Sequence, residues 1–200
     1  MSERRLGVLG GTFDPFHFGH LAAADAGIDC ADLDRVVFIP AAQPPHRPPA
    51  LASPEQRLEM CRLGIEGEPR FEVSDMELKR EGPSYTVDTL AELRQQQPDD
   101  ELFLILGWDA ARLFSTWHRP DEVRELATIV VVARPGSAVP REEDLKGIGL
   151  DKAKVVLCVR TTPDVSASEI RRAVAAGEPI TGKVPSAVGR YLASHRLYAG

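Results

Sequence analysis

Six short runs of almost uninterrupted apolar residues, separated by segments with helical periodicity, limit what this chain can fold into. Strands that are apolar throughout are typical of a parallel sheet that helices cover on both faces. The alternation of such strands with helices predicts an α/β fold, with a doubly wound parallel sheet of about six strands and helices on both faces. The six runs are Leu6–Leu9, Val36–Ile39, Phe71–Val73, Leu102–Leu106, Ile129–Ala133 and Val155–Val159.

Capping signals mark two of the intervening helices. One helix is predicted to begin after Ser53, because Gln56 follows three residues later and completes a capping box. Another is predicted to begin near Ser84 or Thr86 and to end before Pro98, since proline removes a backbone donor and clashes with the preceding turn. These helices fall between the predicted strands, as the α/β alternation requires.

Two segments break this alternation. Residues Pro40–Pro54 are too rich in proline for a helix or a central strand, which predicts an extended loop that leaves the carboxyl end of the second strand. Residues Arg134–Leu150 combine charged, proline and glycine residues, which predicts a mobile surface segment.

Composition narrows the class of protein. The 200 residues are 43% hydrophobic and 27% charged, which predicts one globular domain over residues 1–200. The net charge of −6 argues against a nucleic-acid surface, so an anionic ligand must be held locally. No apolar stretch approaches the ~20 residues of a membrane span, and no signal peptide is evident. Cys30, Cys61 and Cys158 lack CxxC spacing, which predicts reduced, packed thiols in a cytoplasmic protein.

The text LGGTFDPFHFGHL directly follows the first predicted strand. Gly10 and Gly11 lack side chains, so their backbone amides can approach a phosphate closely. The next helix is predicted to start between His17 and Gly19, where free N–H groups and the positive end of the helix dipole favour an anion. Ligands of open α/β sheets bind at the carboxyl ends of strands. An anion is therefore predicted at this turn.

Two histidines, His17 and His20, lie three positions apart at the start of that helix. This spacing puts them on one face, where both could donate hydrogen bonds to neighbouring phosphate oxygens. Neither GxGxxG nor GxxxxGK[ST] is present, so the histidines are the informative residues. An inert histidine pair is one alternative. A zinc pair is another, but it would need further ligands from distant histidines or cysteines.

A second candidate phosphate site lies in the text VSASEIR near the C-terminus. Ser166 is predicted to cap a helix, with Glu169 as the reciprocal cap and Gly177 as the stop. The amides at the helix start and the Ser168 hydroxyl could bind phosphate oxygens, and the Arg171 fork could bind two more. A plain capping box with a solvated arginine is the alternative.

These two motifs carry a family resemblance. GGTFDPFHFGH resembles the signature of the nucleotidyltransferase superfamily with the HxGH motif, and VSASEIR is similar to its second motif, usually written ISSTxIR. Further segments resemble the nicotinate-nucleotide adenylyltransferase family, and the resemblance covers nearly the whole chain. They are PPHR at 44–47, GPSYTVDTL at 82–90, GWD at 107–109, Trp117, and RPG at 134–136. This chain has Arg47, Ala167 and Ser168 where the family commonly has Lys, Ser and Thr.

The resemblance implies a Rossmann-like sheet and transfer of the adenylyl group of ATP to nicotinate mononucleotide, which gives nicotinate adenine dinucleotide and pyrophosphate in NAD synthesis. It implies that His17 and His20 are catalytic. Mg²⁺ would accompany ATP, held by phosphates and water rather than by protein ligands. The implied ATP contacts are Gly10, Gly11, Thr12, Phe13, His17, His20, Gly107, Asp109, Ser166, Ser168 and Arg171. The implied acceptor contacts are Arg47, Ser84, Tyr85, Thr86 and Trp117.

Structural alternatives accompany the residues that the resemblance singles out. Trp117 could be an ordinary core residue or could stack on a pyridine ring. Asp109 could cap the next helix or contact a nucleoside, and Ser84 to Thr86 could be caps only. Two rival functions also stand: a phosphopantetheine adenylyltransferase, with the same chemistry on another acceptor, and a nucleotide sensor without turnover.

Overall fold

A computed structural model of the chain describes residues 4–44, 48–133, 141–150, 154–160 and 162–200. The strands within those residues are β1 (Arg5–Gly11), β2 (Arg35–Pro40), β3 (Phe71–Val73), β4 (Glu101–Gly107), β5 (Thr128–Val132) and β6 (Val155–Cys158). They form one parallel sheet in the order β3-β2-β1-β4-β5-β6. The chain therefore extends outwards from β1 to β3 and then crosses to β4 on the other side of β1. The predicted doubly wound sheet is confirmed.

Helices cover both faces of this sheet. They are α1 (Phe18–Ala31), α2 (Pro54–Gly64), α3 (Met76–Lys79), α4 (Thr86–Gln96), α5 (Trp108–Ala111), α6 (Pro120–Leu126), α7 (Glu142–Lys146), α8 (Ala167–Ala175) and α9 (Ser186–Ser194), with a 3-10 helix at Phe114–Thr116. Strand β4 shows why both faces are apolar. Phe103 and Ile105 pack in one core with residues of α1, α2, α8 and α9. Leu104 packs in the opposite core with residues of α4, α6 and α7.

The helix caps predicted from the sequence are present in the structure. Ser53 Oγ accepts a hydrogen bond from the Gln56 N–H at 3.3 Å, and Gln56 Oε1 accepts one from the Ser53 N–H at 2.9 Å. Ser166 Oγ accepts from the Glu169 N–H at 3.3 Å, which is one half of the predicted reciprocal cap. Gly177 follows the end of α8 with φ of 70°, a left-handed conformation that glycine adopts without strain.

The two irregular segments differ in outcome. Between Pro40, the last residue of β2, and Pro54, the first of α2, the described residues form neither helix nor strand, as predicted. The prediction of a mobile surface segment is wrong for residues 141–150, since they contain α7. Leu145 and Leu150 are only 1% and 4% exposed in the core beneath α6, which fixes this part of the chain. Residues 134–140 lie outside the described part.

The prediction of three reduced thiols is also wrong. Cys30, near the end of α1, and Cys158, the last residue of β6, form a disulfide, and the free thiol is Cys61. The two bonded residues are 128 positions apart in sequence, but α1 packs beside β6, and their Cα atoms lie 5.7 Å apart. This separation is within the usual range for a disulfide. No helix in the described ranges is long and apolar enough to cross a bilayer.

Thiol counting tests the disulfide. Protein denatured without reductant should show one reactive thiol, from Cys61, and three after reduction, measured with a chromogenic thiol reagent. The matched control is Cys61→Ser, which should show none before reduction and two after. Three thiols in the unreduced wild-type protein would contradict the Cys30–Cys158 bond.

Candidate active site

A cleft of about 610 Å³ opens at the carboxyl ends of β1 and β4. These neighbouring strands flank the point where the strand order reverses, which is where ligands bind in open α/β sheets. The described residues that sequence reasoning assigned to ATP or to the acceptor all line this cleft: Gly10, Gly11, Thr12, Phe13, His17, His20, Ser84, Tyr85, Thr86, Gly107, Asp109, Trp117, Ser166, Ser168 and Arg171. Arg47 lies outside the described residues. The individual roles of Arg47 and of the residues that line the cleft remain predictions.

The glycine-rich turn is shaped by what lies above and below it. A Cβ at Gly10 would meet no atom within 4 Å, so the space over this residue is open to a ligand. A Cβ at Gly11 would lie 3.0 Å from the Phe13 ring. That ring is 2% exposed and packs against Phe16 and Phe38, so Phe13 supports the turn from the core side. Phe13 can therefore contact a phosphate only through its backbone.

His17 and His20 lie together, as their spacing predicted. His17 is the N-cap residue of α1, and the two imidazole rings stack with centroids 3.7 Å apart. The His17 N–H donates to His20 Nδ1 at 3.2 Å. A neutral His20 that accepts at Nδ1 carries its proton on Nε2. Two of the first amides of α1 are used by protein groups, because Phe18 N–H binds the Lys183 carbonyl and His20 N–H binds the His17 carbonyl.

The start of α8 adjoins the start of α1. The Val165 carbonyl oxygen lies 3.4 Å from the position of a Cβ at Gly19. Ser166 Oγ and Ser168 Oγ are 3.2 Å apart, so both hydroxyls occupy the same end of the cleft. The Arg171 side chain is 29% exposed and reaches this end too. The two sequence motifs are thereby brought into one site.

Asp14 and Arg57, which sequence reasoning did not select, support the glycine-rich turn from within. Asp14 is 5% exposed, and its carboxylate accepts hydrogen bonds from the N–H groups of Leu51 at 2.9 Å and Ala52 at 3.1 Å. Arg57 is 1% exposed and donates through Nη1 to the Thr12 carbonyl at 2.8 Å. Burial lowers the pKa of Arg57, but arginine stays protonated in proteins. A positive charge therefore lies behind the turn.

The hydroxyl of Ser84 is occupied by protein groups. Ser84 Oγ accepts from the N–H groups of Ala42 at 2.9 Å and Gln43 at 3.2 Å, which ties the loop after β2 to the start of α4. Nearby, the 7% exposed Glu77 accepts from the Thr89 hydroxyl at 2.6 Å. Burial raises the pKa of Glu77, and the hydrogen bonds from Thr89 and Ser84 oppose that rise. The Ser84 side chain is thus a structural link at the rim of the cleft.

Aromatic rings line the side of the cleft near α4 and α5. Tyr85 stacks on His118 with ring centroids 4.2 Å apart, and the half-buried Trp117 packs on Phe114 at 5.5 Å. Gly107 is the N-cap residue of α5, and Asp109 lies in the first turn of this helix. His118 was missed because a single histidine in a loop has no periodicity or spacing signal.

The sequence of the chain is similar to that of proteins with known family membership. A family model described as cytidylyltransferase-like matches residues 8–173. A Thermus thermophilus protein named probable nicotinate-nucleotide adenylyltransferase is 45% identical over 196 residues, which cover 97% of this chain and 99% of that relative. The chain belongs to the nicotinate-nucleotide adenylyltransferase family. A further member, from Thermomicrobium roseum, is 40% identical over 195 residues and covers 97% of this chain and 91% of the relative.

Solved structures support the same fold. Nicotinic acid mononucleotide adenylyltransferase from Plasmodium falciparum, complexed with NaAD, superposes with a TM-score of 0.81 at 17% identity, and the match covers 98% of each chain. The resemblance to the nicotinate-nucleotide adenylyltransferase family that the sequence motifs carried is confirmed. The Rossmann-like sheet that it implied is confirmed as well.

Gly19 provides a test of how the family's HxGH histidines are positioned. A Cβ at Gly19 would lie 3.0 Å from both Cε1 and Nδ1 of His17, and the His20 ring confines His17 from another side. Gly19→Ala should therefore displace the His17 ring. With the predicted catalytic role of His17, this displacement should lower kcat about tenfold, because misplacing a catalytic group by a fraction of an ångström is costly. Steady-state kinetics at saturating substrates measure this effect.

Gly189→Ala in α9 is the matched control for Gly19→Ala. Its new Cβ would make an ordinary contact of 3.6 Å with Val184, outside the cleft. This variant should keep the wild-type kcat. Equal kcat values for Gly19→Ala and the wild-type protein would show that the close contact with His17 is absorbed without consequence.

Proposed function

We propose that the cleft transfers the adenylyl group of ATP to nicotinate mononucleotide, releasing pyrophosphate and forming nicotinate adenine dinucleotide. One observation supports this most: the histidine pair and the Ser166–Arg171 motif lie at the same end of a cleft whose glycine turn is open above Gly10. Such a set of donors suits a polyphosphate. Nicotinate mononucleotide is proposed as the acceptor because the relatives at 40% and 45% identity are named probable nicotinate-nucleotide adenylyltransferases.

The reaction needs no protein nucleophile. A phosphate oxygen of the mononucleotide attacks the α-phosphorus of ATP, the bond to the bridging oxygen breaks, and pyrophosphate leaves on the opposite side. The protein aligns the two anions and stabilises the charge that develops on the α-phosphate and the leaving group. In our proposal His17 and His20 donate to the α- and β-phosphates. Ser166, Ser168 and Arg171 bind the β- and γ-phosphates.

The acceptor would lie towards α4 and α5. Trp117 and Tyr85 offer ring faces for stacking on the pyridine, and stacking on such faces is typical of aromatic ligand sites. Gly107 and Asp109 would lie on the nucleoside side of the cleft. Arg47 would bind the phosphate of the acceptor, on the strength of the motif alone.

A divalent cation such as Mg²⁺ would enter with ATP and neutralise charge on its phosphates. Among the described residues, no group of three or more His, Cys, Asp or Glu side chains could hold a metal ion. The Asp14 carboxylate already accepts from two backbone amides and a tyrosine hydroxyl. The donors that face the cleft fit phosphate oxygens better than a hard cation. We therefore expect phosphate and water ligands for the cation.

An acceptor panel tests the proposed function. Purified protein is incubated with ATP and Mg²⁺, and pyrophosphate release is measured with nicotinate mononucleotide, nicotinamide mononucleotide, phosphopantetheine or no acceptor. Release that depends on a pyridine mononucleotide supports the proposal. Greater release with phosphopantetheine would favour the rival acceptor, and ATP binding without release would favour a sensor.

Cell fractionation addresses the cytoplasmic location, which stays a prediction.

The same panel should show a preference for the nicotinate acid over its amide. Thr86, the first residue of α4, lines the cleft, and its N–H has no partner within the helix. Helix N-termini favour a carboxylate. The NH2 group of the amide would face the N–H of Thr86, and two donors cannot hydrogen-bond to each other. This mismatch costs about 1–3 kcal/mol, so kcat/KM should favour the acid by about 10- to 100-fold. Equal kcat/KM values would contradict this account of the acceptor end.

Trp117→Ala separates affinity for the ring from discrimination between acid and amide. Loss of the indole face should raise the KM for both mononucleotides, because stacking acts on either ring. The ratio of kcat/KM for acid and amide should stay near the wild-type value, and the KM for ATP should change little. A collapse of that ratio would assign the discrimination to Trp117 instead of α4.

A further inference from the structure

The C-terminal segment reaches the base of the cleft through one tyrosine. Tyr198 donates from its hydroxyl to Asp14 Oδ1 at 2.6 Å, across 184 positions of sequence. We propose that Tyr198 is a positioning residue for ATP, acting through Asp14 on Arg171. This inference rests on the proposed function. It adds a contribution to ATP binding from a residue that does not line the cleft.

Asp14 joins three segments of the chain at this point. Its carboxylate accepts from the Leu51 and Ala52 amides, at the end of the proline-rich loop, and from Tyr198. Its backbone carbonyl accepts from Arg171 Nη1 at 2.6 Å. The same Nη1 lies 3.8 Å from Asp14 Oδ2. Arg171 is thus held by the main chain of Asp14, beside a carboxylate that is mainly used by other donors.

The Tyr198 hydroxyl limits how strongly Asp14 attracts Arg171. A carboxylate oxygen that accepts a short hydrogen bond has less charge to offer a neighbouring cation. Without the hydroxyl, Asp14 Oδ1 keeps the Ala52 amide at 3.1 Å, and the carboxylate can turn towards the guanidinium. Arg171 would then form a closer ion pair with Asp14 and offer fewer donors to the phosphates of ATP.

The environment of Tyr198 fits this role. Its side chain is partly buried and packs at the edge of the core formed by α1, α2, α8 and α9. Burial and the hydrogen bond to Asp14 raise the pKa of Tyr198, so the phenol keeps its proton. Arg57 lies near both Asp14 and Tyr198 and supplies a second positive charge to the cluster. The hydroxyl is therefore a fixed donor.

Tyr198→Phe is the variant that tests the proposal, because it removes the hydroxyl and keeps the ring. Tyr191→Phe is the matched control: Tyr191 lies on α9, its ring stacks on His195, and its hydroxyl makes no hydrogen bond with any described residue. Calorimetry measures the Kd for ATP in each protein, and steady-state kinetics give the KM for ATP, the KM for the mononucleotide and kcat. Thermal unfolding gives the stability of each variant.

Tyr198→Phe should raise the Kd and the KM for ATP about five- to tenfold, since a hydrogen bond to a charged group is strong enough to transmit such a change. The KM for the mononucleotide should stay within about twofold of wild type, as should all values for Tyr191→Phe. In an Arg171→Ala background, Tyr198→Phe should weaken ATP binding by less than about twofold, because its effect passes through Arg171.

The outcomes separate this inference from the proposed function. An unchanged Kd for ATP in Tyr198→Phe, with or without a lower unfolding temperature, would overturn the inference and leave the proposed function standing. If Tyr198→Phe weakened ATP binding by the same factor in the presence and absence of Arg171, the inference would be overturned as well. The role of Tyr198 would then be structural. A wild-type protein that binds no ATP would contradict the proposed function and, with it, the inference.

Discussion

Replacing His20 with alanine should lower kcat at least about a hundredfold, because in our proposal His20 donates to the charge that develops on the α-phosphate. His20 Nδ1 accepts from the His17 N–H at 3.2 Å, which holds the ring at the start of α1. His17→Ala should produce a loss of similar size, since the two rings stack at 3.7 Å and in our proposal act as a unit. Rapid-quench or steady-state assays at saturating ATP measure kcat.

His195→Ala is the control for both histidine variants. His195 is exposed and also stacks on an aromatic ring, that of Tyr191, but it lies outside the cleft. This variant should keep the wild-type kcat. The double variant of His17 and His20 should be little slower than either single variant, because groups that act together are not additive. Near-normal turnover in both single variants would contradict a catalytic role for the pair.

Arg171→Ala should raise the KM for ATP by about 10- to 100-fold, with a much smaller change in the KM for the mononucleotide. A charge-assisted hydrogen bond contributes about 1.5–3 kcal/mol, and we propose that Arg171 binds the pyrophosphate end of ATP. Its side chain is held towards the cleft by the Asp14 carbonyl at 2.6 Å. Steady-state kinetics with each substrate varied in turn measure both KM values.

Arg172→Ala is the neighbouring control on α8. Arg172 is exposed and does not line the cleft, so both KM values should match the wild-type protein. Equal increases in the two KM values for Arg171→Ala would indicate that Arg171 stabilises the whole site and does not bind one end of ATP. No increase in either value would remove Arg171 from the site.

The strands of the sheet could be predicted from the sequence because a strand that is buried on both faces is apolar along its whole length. The run LFLIL at 102–106 is apolar at every position since alternate residues enter the two cores on opposite faces of the sheet. Helix caps were equally local, as the reciprocal bonds of Ser53 and Gln56 show. The segment 141–150 was misjudged because two leucines among charged residues are a weak signal. They are buried in the same core as residues of α6 and β5, which are distant in sequence from most of that core.

The contacts that support the site could not be predicted, because they join distant parts of the chain. Nothing local connects Tyr198 with Asp14, 184 positions away, or Cys30 with Cys158, 128 positions away. Ser84 was assigned to the acceptor from its motif, but its hydroxyl binds the loop after β2. The motifs identified residues that line the cleft. The residues that hold the cleft lining in place could be recognised only from the fold.

Transfer of a labelled α-phosphate tests the central claim most directly. The protein is incubated with Mg²⁺, nicotinate mononucleotide and ATP labelled at the α-phosphorus, and the products are separated by chromatography. The account predicts that the label appears in nicotinate adenine dinucleotide and that unlabelled pyrophosphate forms in equal amount. Omitting the mononucleotide should abolish both products. Label that appears only in AMP, or ATP that remains intact with every pyridine mononucleotide, would contradict adenylyl transfer by this protein.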